Sequence, residues 1–406
     1  MAKRVFLHVG APKTGTTSLQ TLLWANQDVL RRQGLLLPLT KVSDHFQLSV
    51  IARQDVEQLA TMHGDGHTSW QRMLDEVGPW GGDALISHEL FSMCSPARAR
   101  WCIEQFREVA DEVHPIITGR DLARQVPAEW QETVKHGRSH RLGEFYGLLQ
   151  SQDPTVYFWR SQDLVALLDD WSQGLPPDRV HLVTVPPSGA PHDVLWRRFT
   201  TLVGIDPESI DQSVTRRNES LGLVEIETLR RVNCYAPAGI RSSKLQLMTR
   251  QVLAERIFGG RPDTKKFAPP AEQHAWVVEC GTGMVDALRQ TPYDIVGDLD
   301  ELLPPAEPIS GPNPDDVDDS DVAQVAVESI PQVLFHTYRR QTLPLLKQIS
   351  ELTSQLETRT ARVQALEDQL RTARAAYERE RDLPLWRHAG RRVRDTAKAV
   401  RRPRAP

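Results

Sequence analysis

The chain has 406 residues, 40% of them hydrophobic, and a formal net charge of −4 at pH 7. This length accommodates one large domain with appendages, and so small a charge singles out no class of partner. No apolar run approaches the roughly twenty residues of a membrane span, and the N-terminus has the pattern of a core strand rather than a signal peptide. The four cysteines lack the spacing of a zinc site. We therefore expect a cytoplasmic protein without a metal.

The first predicted strand, Arg4–Val9, runs directly into a loop with two glycines and a lysine. The loop and the start of the following helix read Gly10-Ala11-Pro12-Lys13-Thr14-Gly15-Thr16-Thr17-Ser18. The first N–H groups of a helix have no internal partner, and the helix dipole places positive charge there. Glycines permit close approach, and the lysine and hydroxyl groups add a charge and hydrogen-bond donors. The pattern predicts a phosphate-binding loop.

This loop differs from that of nucleotide triphosphatases, whose lysine follows the second glycine. Here Lys13 precedes Gly15, and P-K-T-G-T-T-S-L resembles the phosphosulfate-binding loop of sulfotransferases, which use 3′-phosphoadenylyl sulfate (PAPS) and have a P-loop-like α/β fold. The resemblance covers roughly residues 1–303. It implies that Lys13 stabilises the departing phosphate and that the loop holds the donor through Gly10, Lys13, Thr14, Gly15, Thr16, Thr17 and Ser18. A strand-to-helix turn without a ligand and an ATP- or GTP-using loop are the alternatives.

A second predicted strand, Ala84–Ser87, ends in His88 and Glu89. Parallel α/β sheets bind ligands at the carboxyl ends of their strands, where one of these groups would take the proton of an acceptor. Glu89 is the first candidate and His88 the second, since sulfotransferases use either residue type. The alternative is that Glu89 caps a helix and that His88 is a satisfied, partly buried histidine.

A third predicted strand, Pro115–Thr118, leads to Arg120 and a helical pattern over Leu122–Val134. The resemblance implies that Arg120 binds the 3′-phosphate of PAPS, and a guanidinium suits bidentate phosphate contact. Sulfotransferases often have a serine eight residues later, where this chain has Ala128. Substitutes for it are Arg124, Gln125, Gln131 and Thr133. The alternative is that Arg120 and Asp121 cap the following helix or pair with each other.

Arg216 and Arg217 lie in a predicted loop with Asn and Ser, where they would clamp a phosphate or simply precede a capped helix. A further strand is predicted at Val180–Val185. Strands alternating with helices predict a three-layer α/β fold with a central parallel sheet.

The character of the chain changes after Leu303. Residues 304–322 are acidic and Pro-rich and predict a linker, and residues 323–383 predict a helical, coiled-coil segment. Apolar residues at alternating steps of four and three between Leu345 and Leu370 form a heptad seam, so we expect a homodimer through residues 345–377 or packing on the rest of the chain. The tail 384–406 is basic and interspersed with apolar residues. It predicts a flexible segment or contact with an anionic membrane surface, and no sequence-specific nucleic-acid motif accompanies it.

The sequence thus favours a PAPS-dependent sulfotransferase that modifies a hydroxyl or amine of a carbohydrate or small-molecule acceptor, with domains at 1–303, 304–322, 323–383 and 384–406. Two other functions stay open. One is a P-loop kinase, and the other is a non-catalytic nucleotide-binding scaffold that assembles through its coiled coil.

Overall fold

Six parallel strands form the sheet in the computed structural model of this chain, in the order β2-β3-β1-β4-β5-β6 among the described residues. The strands are β1 (Ala2–Gly10), β2 (Leu35–Leu36), β3 (Asp83–Ser87), β4 (Ala110–Gly119), β5 (His181–Thr184) and β6 (Asp294–Val296). The predicted α/β class with a central parallel sheet is therefore confirmed.

The structure describes residues 1–153, 156–214, 220–236, 249–382 and 389–390. Arg216 and Arg217 of the predicted site, and all but two residues of the basic tail, lie outside these ranges. The chain divides into two compact units, 1–331 and 332–406.

The helices of the first unit connect and cover the strands. They are α1 (Thr16–Ala25), α2 (Gln27–Arg32), α3 (Val42–Arg53), α4 (Val56–Thr61), α5 (Ser69–Val77), α6 (Pro96–Arg107), α7 (Leu122–Lys135), α8 (Leu142–Gln150), α9 (Phe158–Gln162), α10 (Leu164–Ser172), α11 (Val194–Val203), α12 (Leu223–Tyr235) and α13 (His274–Leu288). A π-helical segment spans Thr249–Phe258. Two helices follow, α14 (Asp319–Thr337) and α15 (Leu343–Arg381).

The core has two apolar layers because successive side chains of a strand point to opposite faces of the sheet. Val5 and Leu7 of β1 belong to one layer, which also contains Phe106 of α6 and Trp171 of α10. Phe6 belongs to the other, with helices α1 and α11 over it. Helices thus sandwich the sheet in three layers, as predicted.

β1 lies at the centre of the sheet, between β3 and β4. The chain builds β2 and β3 on one side of β1 and then crosses to build β4, β5 and β6 on the other. A crevice forms at the carboxyl ends of the strands where the order reverses, which is the usual ligand position in open α/β sheets. Three predicted site segments follow β1, β3 and β4 and therefore meet there.

The acidic Pro-rich segment 304–322 belongs to the first unit and contacts the start of α8. The Asp315 carboxylate accepts hydrogen bonds from the backbone N–H groups of Leu142 (2.9 Å) and Gly143 (2.8 Å), and a short 3-10 helix spans Pro314–Asp316. No side chain of α15 is buried. No helix in the described ranges combines the length and apolar character that crossing a membrane requires.

Candidate active site

The loop between β1 and α1 is shaped by three residues with positive φ. Gly10 (φ 86°) and Gly15 (φ 88°) adopt the left-handed region that favours glycine, and Lys13 (φ 64°) adopts it despite its side chain. A Cβ on Gly10 would lie 2.7 Å from the Cα of Glu89, so the end of β1 and the segment that follows β3 are in close contact. The loop therefore sits directly beside the predicted base.

Helix α1 begins without a side-chain cap, since its N-cap residue is Gly15. The N–H groups of Thr16 and Thr17 donate to no acceptor among the described residues, whereas those of Ser18 and Leu19 donate to the Gly15 carbonyl. Uncapped N–H groups at a helix start, with the partial positive charge of the dipole, favour an anion.

The hydroxyl groups of this segment differ in what they contact. Thr14 is buried, and its Oγ1 lies 2.5 Å from both the Ala11 carbonyl oxygen and Thr118 Oγ1. Its hydroxyl thus holds the loop to β4. Thr16 is buried as well, while Thr17 is half-buried and Ser18 is exposed.

Lys13 forms an ion pair with a residue that the sequence did not single out. Its Nζ lies 2.5 Å from Oε2 of Glu132, on α7. Lys135, His136 and Arg250 also lie within 4 Å of the Glu132 carboxylate. Burial raises the pKa of Glu132, but hydrogen bonds from His136 and Lys13 outweigh burial and hold the pKa below its usual range. Glu132 is therefore ionised at neutral pH and holds Lys13 in place.

Arg120 is half-buried at the end of β4 and forms no ion pair among the described residues. Its Nη1 donates a hydrogen bond to the Lys13 carbonyl oxygen (3.2 Å). The adjacent Asp121 caps α7, which the alternative interpretation included, and it pairs with Arg124 rather than with Arg120. Burial and the nearby Arg124 lower the pKa of Arg120 to about 10, so it stays charged. A partly desolvated guanidinium without a carboxylate is suited to an anion.

The two candidate bases follow β3 and differ in their hydrogen bonding. Glu89 Oε2 accepts a hydrogen bond from Gln20 Nε2 (3.1 Å) of α1, which orients the carboxylate. The Nδ1 of His88 accepts one from the Leu90 N–H (3.2 Å), so a neutral ring carries its proton on Nε2. Burial lowers the pKa of His88 and keeps the ring neutral. His88 therefore presents a donor, and Glu89 is the better proton acceptor of the two.

The polar residues proposed to replace the missing serine at Ala128 have other partners. Gln125 Nε2 donates to the Pro12 carbonyl (2.7 Å), Gln131 Oε1 accepts from the Leu221 N–H (3.0 Å), and Thr133 Oγ1 donates to the Trp130 carbonyl (2.8 Å). Gln125 thereby supports the loop from behind. Arg124 Nη1 donates to the Pro186 carbonyl (3.0 Å).

Sequence reasoning missed the acidic face of α7. Glu129 and Glu132 are three residues apart and thus on one side of the helix, and both interact electrostatically with Lys13. The sequence does place both glutamates in the predicted helix that follows Arg120. Which side of that helix faces the loop, however, is set by packing and has no local sequence signal. Within the described ranges, no group of three or more His, Cys, Asp or Glu side chains is arranged to hold a metal ion.

Comparison with known proteins gives little. No family model matches this chain, and no curated protein matches it significantly. Among solved structures, the chain is similar to a crystal structure of a sulfotransferase from Alicyclobacillus acidocaldarius, at 16% identity and a TM-score of 0.37, over 57% of this chain and 93% of that one. A likeness this slight shows nothing about the function of this chain.

Proposed function

We propose that this chain is a sulfotransferase that moves a sulfuryl group from PAPS to a hydroxyl or amine of a carbohydrate or small-molecule acceptor. One observation carries the proposal. Arg120, a half-buried cation without a carboxylate partner among the described residues, donates to the Lys13 carbonyl of the loop that leads to the uncapped start of α1. The loop with Lys13 offers one set of anion-binding donors and the Arg120 guanidinium another, which suits a ligand with two anionic groups, as PAPS has.

In this proposal the loop 10–18 and Lys13 bind the 5′-phosphosulfate, and Arg120 binds the 3′-phosphate. Arg216 and Arg217, outside the described residues, are kept as further candidates for phosphate contact. Lys13 leaves Glu132 to contact the donor. The acceptor oxygen or nitrogen attacks sulfur as the bond from sulfur to the bridging phosphate oxygen breaks, and Glu89 takes the acceptor's proton. Lys13 and the N–H groups of α1 stabilise the negative charge that develops on the leaving phosphate.

The first test is a calorimetric titration with the by-product, 3′-phosphoadenosine 5′-phosphate (PAP), compared with magnesium ATP. We expect preferential binding of PAP, weakened about 10- to 100-fold by Arg120→Ala, because a charge-assisted contact to phosphate is worth about 1.5–3 kcal/mol. Arg100→Ala is the matched control, since Arg100 is exposed on α6.

Preference for magnesium ATP would replace this proposal with a kinase. Binding of neither nucleotide would favour a non-catalytic scaffold. An Arg120→Ala variant that binds PAP as well as the unaltered chain would remove Arg120 from the site while leaving the donor class in place.

A further inference from the structure

Glu129 is a titratable group that the proposed transfer does not use. It lies on α7, one turn before Glu132, and the side chain as a whole is half-buried. Its Oε2 is enclosed and has no hydrogen-bond partner in the part of the chain that the structure describes. Buried carboxylate oxygens are normally hydrogen-bonded, so an orphaned one beside a candidate ligand site needs an explanation.

Among the described residues, one cation and two other carboxylates act electrostatically on Glu129. Lys13 faces it from the loop, Glu132 from its own helix and Glu89 from the end of β3. Lys13 is already paired with Glu132, and the neighbouring cations Lys135, His136 and Arg250 also lie around Glu132. The pKa of Glu129 is raised to about 7, mainly because the side chain is buried. Lys13 opposes this rise in the pKa, and the two carboxylates add to it.

An anion in the loop changes this balance in one direction. It adds negative charge near Glu129 and draws Lys13 toward itself. Both effects disfavour an ionised Glu129, because like charges at short range in a partly desolvated site repel strongly. A protonated carboxyl group, by contrast, gains a donor that can satisfy the anion.

We propose that Glu129 binds a proton from solvent whenever an anion occupies the loop, and that the neutral carboxyl group then donates a hydrogen bond to that anion. The inference rests on the proposed function for the identity of the anion, a nucleotide phosphate. Anion binding and proton uptake are thereby linked. The affinity for the anion falls as the pH rises above the pKa of Glu129 in the free chain, because each binding event then has to take up a proton.

The experiment is PAP titration calorimetry on the full chain near pH 8, in two buffers with different ionisation enthalpies. At this pH the phosphates of PAP have lost their protons and free Glu129 is mostly ionised. We expect uptake of about one proton per PAP bound, and a Kd that rises about tenfold per pH unit above this point.

Glu129→Gln replaces the carboxyl group with a neutral donor of the same shape. This variant should bind PAP with no proton uptake from this position, at least as tightly as the unaltered chain at pH 8. Glu104→Gln, an exposed carboxyl on α6, is the matched control and should retain the uptake.

The outcomes separate the two proposals. PAP binding to the unaltered chain without proton uptake overturns the role of Glu129 and leaves the donor class intact, as does uptake that persists in Glu129→Gln. No PAP binding at all overturns both. The proton count on the unaltered chain decides the question even if Glu129→Gln does not fold.

Discussion

Lys13 is the cation that a bound anion would contact, and Glu132 holds it at 2.5 Å. An anion must therefore compete with a carboxylate. We predict that Glu132→Gln raises the affinity for PAP about fivefold, because a partly exposed ion pair is worth about 1 kcal/mol and its loss frees Lys13. The cations beside Glu132 reinforce the effect once its charge is gone. Calorimetric titration with PAP measures it.

The matched control for this change is again Glu104→Gln, which removes one exposed negative charge at another place. An equal gain in both variants would point to net charge alone. Unchanged or weaker binding in Glu132→Gln would mean that Glu132 supports the bound form rather than competing with it.

The contact between the ends of β1 and β3 depends on the absence of a side chain at Gly10. Its φ of 86° is strained for any L-residue, and an added Cβ would meet the Glu89 Cα at 2.7 Å and its Cβ at 2.8 Å. Backbone and Cβ atoms cannot turn aside as the tip of a side chain does. We predict that Gly10→Ala lowers the free energy of unfolding by about 3 kcal/mol.

The variant Gly34→Ala separates the cost of backbone strain from the cost of a steric clash. Gly34 has a similar φ of 90°, but an added Cβ would meet nothing within 4 Å. We expect that variant to cost about 1 kcal/mol, the strain alone. Urea unfolding of both variants gives the comparison. Equal losses would show that β1 and β3 adjust at no cost and that the close approach does not require glycine.

Strands were predictable where their sequence signal is local. β1, β3 and β4 are apolar runs ending in polar or glycine-containing segments, and they lie at the centre of the sheet. β2 and β6 were not predicted, because they have two and three residues and lie at the two edges. So short a segment has no periodicity to detect, and it is extended only because a neighbouring strand pairs with it.

The site was predictable to the same extent. Lys13, Glu89 and Arg120 were expected to meet because each follows a strand, and the carboxyl ends of parallel strands share one edge. The ion pair between Lys13 and Glu132 joins positions 119 residues apart. It depends on how α7 is rotated against the loop, which packing decides. The hydrogen bond from Leu90 to His88 likewise became visible only in the structure.

At the scale of the whole molecule, α15 presents an apolar stripe that no described residue buries. Its seam consists of Leu345, Ile349, Leu352, Leu356, Val363, Leu366 and Leu370, each between 53% and 65% exposed. Arg359 interrupts the seam. A stripe this regular on a helix of 39 residues is typical of a coiled coil.

The residue types of the seam favour a parallel pair of identical helices. The a positions alternate between β-branched and Leu residues: Ile349, Leu356, Val363 and Leu370. Leu345, Leu352 and Leu366 occupy d positions, and β-branched a positions with Leu at d favour a parallel dimer. Arg362 and Glu367 then occupy g and e positions flanking Val363. In a parallel pair, Arg362 of one copy lies opposite Glu367 of the other, so the charges are complementary.

We propose that a second copy of this chain covers the stripe, and sedimentation equilibrium on the full chain tests it. The unaltered chain should be a dimer. Leu356→Asp combined with Leu366→Asp should make it a monomer, because two like charges at each layer would be buried against each other in the seam. Ser354→Asp combined with Gln364→Asp adds the same charge at positions outside the seam and should leave the dimer intact. A monomeric unaltered chain, or a dimer that survives both aspartates in the seam, would contradict the coiled coil.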